Sequence, residues 1–167
     1  MSNFTDYLSA FSGAVSAAAA YWAWKTATEA HQLSKFVTAK AEQDKFTLEL
    51  ERLTLAAAEI EAEATNLYFL AGTTRVTATS RAVALSGMSN NRFQLFIKRL
   101  DEEIAGALEA TTRAAFFREQ STTGCKGNLE TARDMRIQAT ELCIALRGKI
   151  RSLEVERTGW VHDAPSN

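Results

Sequence analysis

Three observations predict an all-helical fold. The one proline among 167 residues, Pro165, stands two places from the C terminus, so no proline interrupts the backbone from Ser2 to Ala164. The eight glycines are scattered rather than clustered. Apolar residues then recur three and four positions apart over most of the chain, which is the spacing of one helix face. The predicted architecture is an elongated helical bundle or coiled coil. It has one very long N-terminal helix, continuous or kinked near Gly72, followed by two antiparallel return helices. A content of 46% hydrophobic and 23% charged residues excludes collagen-like, proline-rich and disulfide-scaffold chains, and low-hydrophobicity disorder with them.

The first element is set apart by its lack of charge. Tyr7 to Trp24 has no ionised side chain over eighteen residues, and Ala, Ser and Gly supply eleven of them. A helix of this length is about 27 Å, against roughly 30 Å of bilayer hydrocarbon, so length permits a membrane span. Tyr21, Trp22 and Trp24 followed by Lys25 match a helix end at a membrane interface, with amphipathic rings and a cation beyond them. Lys25, Lys35, Lys40 and Lys45 would then keep the C-terminal part in the cytoplasm. Without a span, the whole chain is expected in the cytoplasm. Asp6 and the absence of Lys or Arg before it argue against a cleaved signal peptide.

Small residues also recur every four positions, as in Ser9, Gly13 and Ala17, a pattern that lets two helix backbones approach closely. The same segment therefore reads equally as a helix buried in a soluble bundle or oligomer. Ser9, Phe11, Gly13, Ala17, Tyr21, Trp22, Trp24 and Lys25 are the expected membrane or helix contacts. The expected division of the chain is an N-terminal apolar helix (1–25), a bundle domain (26–160) and a frayed tail (161–167).

The body of the long helix carries a heptad seam, Phe46, Leu50, Leu53, Ala57, Ile60, Ala64, Leu67 and Ala71. A second row, Leu48, Leu55, Ala62, Phe69, Val76 and Val83, repeats every seven residues on nearly the opposite side. Two apolar faces imply two sets of neighbours. The chain's later helices can cover one of them, and a second subunit is the simplest cover for the other. Expected interface residues are Leu48, Leu50, Leu53, Leu55, Ile60, Leu67 and Phe69, with self-association the expected partnership.

The return helices are bounded by turn-forming residues. Ser86 to Asn91 (SGMSNN) suits a C-cap and a turn. A helix is expected from about Asn91 to Gln120, with Phe93, Ile97, Leu100, Ile104, Ala107 and Thr111 on its seam and Phe96, Leu108 and Ala115 widening it. Ser121 to Asn128 (STTGCKGN) is the second break, and the last helix is expected from about Leu129 to Arg157, ending at Gly159. Its seam includes Leu142, Cys143, Leu146 and Leu153. Arg136 and Arg157 fall within it, which calls for stems along the core edge and heads paired to glutamates.

Little chemistry survives inspection. Nineteen basic against twenty acidic residues leave a formal charge of −1, without the positive field that phosphate backbones require, so nucleic acid is not an expected partner. No Glu-x-x-His pair exists for a carboxylate-bridged metal, and His31 and His162 lie near opposite ends. Cys125 and Cys143 form no CxxC unit; Cys143 reads as a small core residue and Cys125 as a loop thiol. Glu59 and Glu63, and Asp101 to Glu103, read as solvated helix surface, with Lys98–Glu102 and Arg99–Glu103 as i,i+4 pairs. No nucleophile elbow or phosphate-binding loop is present. The expectation is a non-enzymatic structural or interaction protein without a cofactor or small-molecule substrate. Its helical faces self-associate, and its N-terminal helix anchors it to a membrane or to other subunits. The alternative is a membrane-active protein, a pore former or effector that inserts its Ala-rich segment.

Overall fold

A computed structural model of the chain describes the backbone of residues 2–84 and 91–162 and the side chains of residues 16–81, 91 and 93–158. Three helices account for nearly all of it: α1 (Ser2–Ala84), α2 (Asn91–Thr123) and α3 (Leu129–His162). Residues 85–90, where the first break was expected, and residues 163–167 lie outside the described residues.

The helix α1 runs through Gly72 without interruption, so the break allowed for there does not occur. Its many threonines are accommodated by hydrogen bonds back along the helix. Thr73 and Thr74, for example, donate to the carbonyls of Phe69 and Leu70 at 2.8 and 2.7 Å.

Two compact units divide the chain, residues 1–45 and residues 46–167. The boundary between them follows Lys45. It falls where helix neighbours begin, because every described side chain from Ser16 to Lys45 is exposed and Phe46 is the first that is partly covered.

In the second unit the direction of packing follows from ion pairs. Arg75–Asp101 (2.7 Å) and Arg118–Glu61 join α1 to α2 in opposite order, so these helices are antiparallel. Arg136–Glu49 (2.6 Å) and Arg147–Glu63 (2.8 Å) join α1 to α3 in the same order, so these run parallel. Lys149–Glu103 (2.7 Å) and Arg99–Glu156 close the third, antiparallel side. The unit is an up-down-up three-helix bundle. The pairing expected between Arg99 and Glu103 gives way to these contacts, since each side chain finds its partner on a neighbouring helix. Lys98–Glu102 does form, at 3.9 Å. Glu59 stays exposed as expected and Glu63 is partly covered, and Arg147 pairs with both.

The core has a simple grain. Along α1 the buried positions alternate large and small: Leu53, Ala57, Ile60, Ala64, Leu67, Ala71, each with no exposed area. Small residues also recur on the facing helices, as Ala107, Ala110 and Ala114 on α2 and Ala132 and Ala139 on α3. A large side chain from one helix can then fill the space left by an alanine on another, which draws the axes together without voids. Cys143 is part of this core at 3% exposure, as its seam position requires.

The α2–α3 connection departs from its predicted form. Helix α2 continues three residues past Gln120, and Gly124 to Gly127 then form one turn with positive φ throughout (73°, 43°, 58° and 74°). The Gly127 amide donates to the Gly124 carbonyl across this left-handed turn at 2.6 Å. Glycine accepts these angles at no steric cost, so placing one at each end confines the strain to Cys125 and Lys126. The Cys125 side chain is fully buried there, against the Gln120 carbonyl and 3.8 Å from the Met135 sulfur, so it is a core group and not a loop thiol. Asn128 starts α3, its Oδ1 accepting from the Glu130 amide at 2.9 Å. At the far end α3 passes Gly159 and ends at His162.

Truncating the centre of this core should be costly. Ile60→Ala is expected to lower unfolding stability by about 2–5 kcal/mol, read from the midpoint of urea denaturation at unchanged slope.

Candidate interaction surface

The interface residues expected from sequence separate cleanly into two groups. Leu53, Ile60 and Leu67 are buried against α2 and α3, and Leu50 packs half-buried at the edge of the same core. Leu48, Leu55 and Phe69, with Val76 of the same row, stay open at 44%, 66%, 63% and 66% of their area. Ala62 is exposed between them. Both return helices sit on the inner seam and leave the outer row exposed. The last member of the row, Val83, lies outside the described side chains.

Beside this row is an open apolar groove in the second unit. Tyr68, Phe69, Gly72 and Val76 line it from α1, and Asp101 and Ile104 from α2. The rings of Tyr68 and Phe69 meet edge to face at 5.8 Å between centroids. Gly72 lies in the groove floor, and a Cβ built there meets nothing within 4 Å. Glycine inside a helix costs about 0.5–1 kcal/mol relative to alanine, and no contact within this chain requires it at this point.

Charged groups line the bundle edges but do not converge on a reactive centre. Arg136 donates through Nε to Glu49, with only 27% and 15% of the two side chains exposed, so one of the two seam arginines lies along the core edge as expected. Arg157, the other, is exposed. Burial pushes the Cys125 and Cys143 thiols above the usual thiol range, and Glu59 beside Cys143 pushes in the same direction while Arg147 opposes it. Both cysteines are thus protonated at neutral pH and poorly suited to act as nucleophiles. Among the described residues no group of His, Cys, Asp or Glu is arranged to hold a metal ion.

In the first unit Ala17, Tyr21, Trp22, Trp24 and Lys25 are all exposed, with the three rings at 59%, 63% and 64%. Lys25 Nζ lies 5.4 Å from the Trp22 ring centre, and Tyr21 and Trp24 stack obliquely at 6.3 Å. The side chains of Ser9, Phe11 and Gly13 lie outside the described residues. The transmembrane expectation is not supported: among the described residues no helix is long and apolar enough to cross a membrane. The reason is compositional, because alanine, serine and glycine contribute little transfer free energy and make up most of the uncharged stretch.

Sequence reasoning anticipated a glutamate partner for Arg136 but did not find the groove or the other ion pairs between helices. Both depend on the rotation of α2 and α3 about their axes, for which periodicity within one helix carries no signal. Comparison of the chain with protein families, with curated proteins and with solved structures finds no match.

The ion pairs should differ in energetic weight with their exposure. Arg136→Met is expected to cost about 1–2 kcal/mol, since it leaves a largely covered Glu49 with only its long 3.4 Å contact to Arg52. Arg118→Met, which breaks an exposed pair, is expected to cost ~0–1 kcal/mol. Thermal unfolding of the two variants side by side checks the order.

Proposed function

We propose that the protein is a non-enzymatic helical interaction protein that self-associates through the outer face of α1. The observation that carries this reading is the row Leu48, Leu55, Ala62, Phe69 and Val76, exposed at seven-residue intervals on the side of the helix that its own bundle leaves bare. Single exposed apolar residues are ordinary, but a periodic row beside an apolar groove marks a contact surface. Complete burial of a leucine or phenylalanine is worth roughly 1.5–3 kcal/mol, so a few such residues supply a useful association energy. The bundle provides a rigid support for that face, and association is its proposed activity.

A second reading concerns the first unit. Tyr21, Trp22 and Trp24 project amphipathic rings beside Lys25, the combination that settles at the headgroup level of a bilayer. This supports peripheral contact with lipid, as an anchor or as the first step of membrane activity.

The two readings are tested separately. The double variant Leu55→Asp/Phe69→Asp is expected to reduce the light-scattering mass from a multiple of 18.4 kDa to the single-chain value with helicity unchanged. A wild-type chain that is monomeric at tens of micromolar, or a double variant of unaltered mass, would overturn self-association. For the second reading, the wild-type protein should float with anionic liposomes and Trp22→Ser/Trp24→Ser should not. Dye release on wild-type binding marks membrane activity, and binding without release marks an anchor.

A further inference from the structure

We infer that Gly72 is the point of closest approach between two copies of this chain, the outer face of α1 in the second unit meeting its own twin across a two-fold axis beside it. The inference rests on the self-association reading and names the part of the face that makes the contact.

Charge singles out this stretch of surface. From Ala62 to Ser80 the only ionised residues are Glu63 and Arg75. Each is paired with a return helix, Glu63 with Arg147 of α3 at 2.8 Å and Arg75 with Asp101 of α2 at 2.7 Å. Apart from these pairs, the exposed surface of α1 here is uncharged, with Thr65, Asn66, Phe69, Thr73, Val76 and Ser80 open to solvent. The return helices differ in kind. On α2, Lys98, Glu102, Glu109 and Arg113 are strongly exposed, and α3 exposes Arg133, Asp134, Glu141 and Arg151. Water-facing helix surface ordinarily carries such charge, which opposes association. An uncharged face offers nothing to a strongly acidic or basic partner. It suits a second copy, because at a two-fold axis each group meets its own surroundings and an unpaired charge would meet its like.

Gly72 marks where the contact is tightest. Phe69 and Val76, each one helical turn away from it, stand out at 63% and 66% exposure, and the Tyr68 ring lies edge to face with Phe69. Between these ridges Gly72 opens into the groove that Ile104 lines from α2. A Cβ at Gly72 meets no atom of this chain within 4 Å, so its absence does nothing for the packing of the bundle itself. A missing Cβ on an exposed apolar face does let another backbone come close. Two-fold pairing sets the two Gly72 gaps together, and Phe69 and Val76 of each copy then lie over the groove of the other. The other glycines described within helices fit this role less well. Lys149 Nζ lies 3.4 Å from the Cβ position of Gly106. Gly148 is open, but exposed Arg151 stands one turn away, and a two-fold contact there would bring that cation up against its like.

Dissociation of the full chain, followed by analytical ultracentrifugation over a concentration series, tests the contact. Gly72→Leu places a branched side chain in the gap and is expected to weaken the dimer by about tenfold or more with far-ultraviolet helicity unchanged. Gly148→Leu, at the other open helix glycine, is expected to leave the dissociation constant as it is. Gly72→Ala separates two roles by sign. The urea midpoint of the diluted, monomeric chain should rise, since alanine favours the helix and meets nothing, while the dimer weakens. A fall in that midpoint would show that the bundle itself needs the glycine and would overturn the inference. A wild-type dimer that Gly72→Leu leaves intact, or that Gly148→Leu weakens equally, would overturn the contact at Gly72 without touching self-association. A wild-type chain that is monomeric at tens of micromolar would overturn self-association itself. A monomer that floats with liposomes and loses flotation on Gly72→Leu would overturn both by assigning the face to lipid.

Discussion

The seam of Leu53, Ala57, Ile60, Ala64, Leu67 and Ala71 on α1 is the interaction on which the second unit depends. Its strict alternation of large and small side chains sets how closely α2 and α3 can approach, because a packed interior tolerates neither voids nor overlap. Once the three axes are close, the long side chains at the margins meet across helix boundaries. Arg136, Arg147 and Lys149 then find carboxylates on neighbouring helices and not along their own. Apart from the largely covered Arg136–Glu49, those pairs keep about half of the cationic side chain exposed, so they refine the register of a bundle whose energy comes from the apolar seam.

The same seam explains why an apolar surface is left over. A helix has room on one side for two neighbours, and the antiparallel α2 and the parallel α3 occupy that room along the inner face. The outer row of Leu48, Leu55, Phe69 and Val76 faces away from them and stays open. The first unit poses the problem in a stronger form, since none of the side chains described there is covered by its own chain.

Legibility in the sequence followed the range of the interactions involved. The heptad spacing from Phe46 to Ala71 made the inner seam readable because a helix face is a local property. Cys143 was readable for the same reason, lying in phase with Leu142 and Leu146. The Cys125 turn was not, because its left-handed backbone is stabilised by burial of the thiol against Met135, ten residues away. Gly159 looked like a terminus, yet α3 continues to His162, since one glycine weakens a helix without ending it. The Arg99–Glu103 pairing failed because an i,i+4 rule compares only neighbours on one helix, whereas Glu156 and Lys149 arrive from another.

Sequence alone therefore determined the helical class, the inner seam and the existence of a second apolar row, because each is written in spacings within one helix. The tertiary structure decided which row becomes core and which becomes surface, and it did so through the direction and rotation of α2 and α3. It also decided that the described side chains before Phe46 stay exposed. These are long-range outcomes: they depend on which helices come together, and no periodicity in a single helix specifies that.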